Sequence, residues 1–131
     1  MAATSLSEAR TDLYTLLVSN TATGAPHADL TAVTKVYKYE PLPGDILKPI
    51  SITILTSGMD PEFYEFEIRI YASDGANTQT QANLDAAIQQ VDTRLRGSAE
   101  FGPSNWSVEW VDELGCWIAR ANTTAGRQDY F

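Results

Sequence analysis

One cysteine and one histidine among 131 residues leave this chain without most of the means by which a small protein is stapled or armed. Cys116 has no partner for an intramolecular disulfide, and no basic-then-apolar leader opens the sequence, which together point to a reducing, cytosolic place of synthesis. Cations are scarce as well. Nine lysines and arginines stand against seventeen aspartates and glutamates, a formal net charge of −8, which disfavours direct binding to a nucleic-acid backbone or to anionic lipid. No apolar run approaches the roughly 20 residues of a membrane span. There is no glycine-rich phosphate loop, no Gly-x-Ser-x-Gly elbow and no Cys-x-x-Cys pair, so the common routes to nucleotide binding, acyl transfer and thiol redox chemistry have no motif behind them.

What is present suits one globular domain. The length suffices for a single core, and 44% hydrophobic with 20% charged residues is ordinary globular composition. Ser5-Leu6-Ser7-Glu8 matches a capping box, and Leu6, Ala9, Leu13, Leu16 and Leu17 recur at helical spacing, which predicts a helix ending near Asn20. Thr21 to Leu30, with Gly24 and Pro26, reads as a surface loop. Three strands are predicted next, over Thr34 to Tyr39, Ile50 to Thr56 and Phe63 to Ala72, punctuated by Pro41 to Asp45 and by Ser57 to Pro61. In the third, Tyr64, Phe66, Ile68 and Ile70 alternate with Glu65, Glu67 and Arg69, the pattern of a half-buried antiparallel strand. A second helix is predicted from Thr78 to Arg96, with Leu84, Ile88, Val91 and Leu95 as its apolar stripe. Asn77 or Thr78 is placed to cap its start, and Gly97 to stop it in a left-handed conformation. Trp106, Val108 and Trp110, then Cys116 to Ala121, give two more strands joined at Asp112 to Gly115. The expected fold is α+β: a single, mostly antiparallel sheet of about five strands with both helices on one face, in the order α-β-β-β-α-β-β.

The titratable residues offer few sites. Glu65 and Glu67, two apart on a strand, share a face and could hold a metal or act as an acid/base pair, but solvated strand carboxylates do the same. Glu100, Asp112 and Glu113 fall at predicted loops. Asp74-Gly75-Ala76-Asn77 begins like a calcium loop yet has neither the alternating oxygen ligands nor the terminal glutamate. Cys116 and His27 are far apart in sequence, and the cysteine sits in an apolar strand where a thiolate is disfavoured. The residues thus assign no catalytic, cofactor or metal position. The tryptophans suit core packing of the last hairpin, whereas Tyr130 and Phe131, an aromatic pair at the chain's end, are candidates for anchoring in a neighbouring subunit.

The strand Phe63-Tyr64-Glu65-Phe66-Glu67-Ile68-Arg69-Ile70-Tyr71, the passage through Ala72-Ser73-Asp74 into the helix with Leu84-Asp85-Ala86-Ala87-Ile88, the strand pair after it, and the end Gly126-Arg127-Gln128-Asp129-Tyr130-Phe131 resemble the tail terminator, or tail completion, proteins of long-tailed bacteriophages. The likeness spans residues 50 to 131 in pattern, with a short N-terminal helix that the family also carries. It lies in element order and carries no diagnostic motif. It implies a single tail-terminator-like domain over residues 1–131: a structural virion protein, made in the host bacterial cytoplasm, that caps the tail tube as a ring, typically a hexamer. Such a ring ends tube polymerisation and offers the surface for joining to the head. The implied partners are further copies of the chain, the tail tube protein and a neck or head-completion protein, with no cofactor, no membrane, and DNA passing through the lumen without specific binding. An acidic lumen would repel that DNA. The alternatives are another phage neck or head-completion protein and a small metal-dependent enzyme built on Glu65 and Glu67.

Overall fold

The computed structural model describes residues 4–41, 50–73, 78–102 and 105–127. Helix α1 spans Leu6–Leu17 and is capped by Ser5, whose Oγ accepts from the Glu8 amide at 3.1 Å. Only half of the capping box forms, because the Glu8 carboxylate takes the Thr4 hydroxyl. The helix stops three residues before the predicted end, because Val18 is extended and starts strand β1 (Val18–Asn20). This strand turns at Gly24 and pairs with β2 (Ala25–Pro26), so the expected loop over Thr21 to Leu30 is in part a small hairpin. It is also anchored, since Leu30 is buried in the core. Gln90 holds the segment that follows, accepting from the Ala32 amide and donating to Thr31 Oγ1, both at 2.9 Å.

The main sheet runs β3 (Lys35–Tyr37), β4 (Ser51–Met59), β5 (Phe63–Ala72), β7 (Cys116–Gly126), β6 (Trp106–Val111). Every pairing is antiparallel except β3 with β4, which makes the sheet mixed. Helix α2 (Thr78–Arg96) carries the chain from β5 to β6, and β7 returns between them, so β5 and β6 point the same way with an antiparallel strand inserted. The Ser57 to Pro61 turn is shorter than expected. β4 continues through a bulge between Thr56 and Gly58, and the reversal is made by Asp60, whose Oδ1 accepts from the amides of Glu62 and Phe63 at 2.8 and 2.7 Å.

Both helices pack on the face carrying Ile52, Ile54, Tyr64, Phe66, Ile68 and Ile70. From α1 come Ala9, Leu13 and Leu17. From α2 come Leu84, Ala87, Val91 and Leu95, each side chain larger than alanine contributing about 1.5–3 kcal/mol of transfer free energy. Ile88 lies at the rim of the α2 stripe and Ala87 occupies the interior position instead, because facing β5 and β7 closely leaves room for a methyl group there. Gly97 does not take the left-handed stop. Its amide still bonds the Thr93 carbonyl at 3.1 Å, and the helix unwinds through a Ser98 to Leu95 turn. The glycine that does sit at positive φ on the β6–β7 hairpin is Gly115, at 62°. All of the predicted Pro41 to Asp45 turn beyond Pro41, and the Asp74 to Asn77 cap or calcium-like turn, lie outside the described residues.

Candidate functional site

Alternation along β5 sends Glu65, Glu67, Arg69 and Tyr71 to the sheet face away from the helices, and register brings Arg120 and Ile118 of β7 beside Arg69 and Tyr71. The expected acid pair is therefore on one face, but each member is already engaged. Glu65 Oε1 accepts from Ser57 Oγ at 3.0 Å, a contact set by the β4 bulge, and Glu67 Oε2 binds Arg69 Nε at 2.5 Å. The centre of the face belongs to Glu40, which comes in from beyond β3. Its carboxylate takes Arg69 Nη1 at 3.0 and 3.1 Å, accepts from the Tyr71 hydroxyl, and lies 3.4 Å from Thr53 Oγ1. Burial alone would lower the Arg69 pKa, but its bonds to Tyr71 and Glu67 and the Glu40 carboxylate outweigh that and raise it. Tyr71 is pushed up by burial and by donating to Glu40, so it stays a neutral phenol. Directly across from Arg69 on β7, Arg120 pairs with Glu109 of β6.

Beside this network lies a cavity of about 140 Å³ walled by Glu40, Arg69, Tyr71, Leu114 and Cys116. Its volume is below the roughly 300 Å³ at which pockets begin to enclose drug-sized ligands. Burial raises the Cys116 thiol's pKa, which keeps it protonated and poorly nucleophilic at neutral pH. His27 belongs to the helix side, where its Nδ1 accepts from the Asp29 amide at 3.1 Å and Asp29 approaches Arg94 of α2, so the structure does not bring the two together. Among the described residues no group of three or more His, Cys, Asp or Glu is arranged to hold a metal ion. Asp112 and Glu113 are exposed on the β6–β7 turn. Tyr130 and Phe131 lie outside the described residues.

Two charged positions matter more than the sequence suggests. The first is Arg10, buried on the inner face of α1 with the guanidinium 4.4 Å from the Tyr39 ring centre and 5.6 Å from that of Phe66. It donates to the carbonyls of Lys38 at 2.7 Å and Ile54 at 2.5 Å and to Thr56 Oγ1 at 2.8 Å. β3 and β4 stop pairing at Tyr37 and Thr53, so Arg10 supplies the donors that the ladder no longer provides. A cation inside the Ala9, Leu13, Leu17 stripe was the available signal. The second is Glu100, whose carboxyl is pushed up to about 7 by burial and by the neighbouring Asp12 carboxylate, with Glu8 adding in the same sense. Its Oε1 is buried without a hydrogen-bond partner among the described residues, beside a groove between α1 and the Phe101 segment. No spacing rule links residues 12 and 100.

The tryptophans divide between core and surface. Trp106 and Trp117 pack against the main core as partly buried rings, with Trp106 Nε1 donating to Asp92 at 3.3 Å. Trp110 stands edge-on to Trp117, with ring centres 5.4 Å apart. The fold is thus an α+β sandwich of two layers: one sheet face covered by two helices, the other bearing the Arg69–Glu40, Arg69–Glu67 and Arg120–Glu109 ion pairs. Comparison with protein-family models, with characterised proteins and with solved structures returns no match to this chain. No helix among the described residues is long and apolar enough to cross a membrane.

Proposed function

We propose that this protein is a ring-forming tail terminator of a long-tailed bacteriophage, a virion subunit that caps the tail tube, ends its growth and presents the surface to which the head is joined. One observation carries the reading: the element order in which a long strand over Phe63–Ala72 leads into helix Thr78–Arg96 and then a strand pair, the order on which the resemblance rests. The open sheet face adds support. Its carboxylates are tied to Ser57, Arg69, Tyr71 and Arg120, which suits a surface for protein contact better than a cleft for turnover. A closed ring needs two different surfaces per subunit, and the helix layer and the open sheet face are chemically distinct. A net charge of −8 per copy makes free subunits repel one another and leaves any lumen unattractive to DNA.

Electron microscopy of particles from the parent phage, with and without the gene, tests the proposal. The expected result is a ring at the head-proximal end of the tube and, in its absence, overlong tubes with unjoined heads. Normal joined particles from the deletion would refute it.

A further inference from the structure

The two edges of the main sheet are treated differently. At β3 the edge is short and covered: the Val36 amide donates to the Gly24 carbonyl at 3.0 Å, and the Lys35 ammonium sits on the Thr23 carbonyl, so the β1–β2 hairpin occupies it. At β6 no such cover exists among the described residues. Among the described residues this strand pairs only with β7, in unbroken register from Trp106↔Ala121 to Val111↔Cys116. It contains no proline, no lysine and no bulge, the devices by which natural edges discourage further pairing. Its one charge, Glu109, is folded back onto Arg120 of β7, and Val108 in its middle is 49% exposed. An edge strand without proline, lysine or bulge is a template for another strand.

We propose that the β6 edge pairs with the β6 edge of a second copy of this chain, antiparallel across a two-fold axis through Val108, joining two sheets into one. The strand's own side chains select that partner and that register. Residues directly opposite in an antiparallel pair share a face and a hydrogen-bonding orientation, so a two-fold pairing must be centred on a residue rather than between two. Centring on Ser107 engages only Trp106 to Val108 of the strand. Centring on Glu109 sets carboxylate against carboxylate, which like-charge repulsion disfavours. Centring on Val108 engages Trp106 to Trp110 in full: Val108 meets Val108, each Trp106 meets a Trp110, and each Glu109 meets a Ser107 hydroxyl. The segment Trp-Ser-Val-Glu-Trp is in effect the same aromatic, polar, aliphatic, polar, aromatic pattern read in either direction. This contact is isologous, whereas a ring uses a heterologous one, so it does not rest on the ring reading.

The test uses the full chain in solution. Light scattering over a dilution series is expected to show wild-type dimers that dissociate on dilution, and Val108→Lys, at a half-exposed site, to weaken the dimer about tenfold or more by placing two ammonium groups face to face. Circular dichroism of that variant should match wild type. As an independent readout, Val108→Cys should form a covalent dimer on mild oxidation, since opposite residues of an antiparallel pair lie within disulfide reach, while wild type, with Cys116 buried, should not. A wild type that stays monomeric at every concentration, an oligomer untouched by Val108→Lys, or a Val108→Cys chain that cross-links no more than wild type would each overturn the pairing. Rings in the particle without the cross-link would defeat this proposal and leave the ring reading standing; the cross-link without rings would do the reverse.

Discussion

Arg10 shows how one side chain can close an account that the backbone leaves open. Burial pushes its pKa down, with Tyr39 acting in the opposite sense, yet it has neutral carbonyl and hydroxyl partners at the place where two strands part. Arg10→Met would keep the apolar contacts and orphan both carbonyls, at a cost of about 2–4 kcal/mol. A urea midpoint equal to wild type would show that water satisfies them instead. Glu100 sets a dependence on pH. A carboxyl whose folded-state pKa is raised holds its proton more tightly folded than unfolded, so its contribution to stability is complete below about 4.5 and is lost as pH rises through about 7. Glu100→Gln mimics the protonated form. Thermal melts should find the variant more stable than wild type above pH 7, with the gap closing as pH falls toward 4.5; a constant gap would mean that the carboxyl's pKa is not raised by folding.

The hairpin of β1 and β2 depends on Gly24, where φ is +73° and an added Cβ would lie 2.4 Å from the Val36 carbonyl oxygen. Gly24→Ala should therefore lift the hairpin off β3 and destabilise the fold by about 2 kcal/mol or more, measured by chemical unfolding. Such positions mark the boundary of what was legible beforehand. β5 and α2 were readable to the residue because strict alternation from Tyr64 to Ile70 and a helical stripe from Leu84 to Leu95 are local patterns that packing then obeys. The β1–β2 hairpin was not, because its strands are too short for any period to appear and its stability comes from docking on β3. The parallel pairing of β3 with β4 was also hidden, since neighbours in sequence are ordinarily antiparallel and nothing in Lys35 to Tyr37 encodes direction. At the candidate site, the shared face of Glu65 and Glu67 followed from their spacing, while Glu40, which neutralises Arg69 from 29 residues away, had no sequence signal at all.

At the scale of the molecule, the described residues present a helix layer, a sheet face bearing ion pairs and a β6 edge that pairs on one side only. If it works as a ring subunit, removing Tyr130 and Phe131 should leave the domain folded by circular dichroism and weaken assembly on the tail tube, because an aromatic pair suits a neighbour's groove. Assembly of the truncated chain at wild-type efficiency would show that the pair is idle. The chain's one thiol bears on how such assemblies can be studied. Cys116 is 3% exposed and held protonated, so a cysteine introduced at an exposed position would be the fast-reacting group on each copy. A maleimide dye would then tag every subunit once, and stepwise photobleaching of single particles would count the copies in an assembly without removing any native residue.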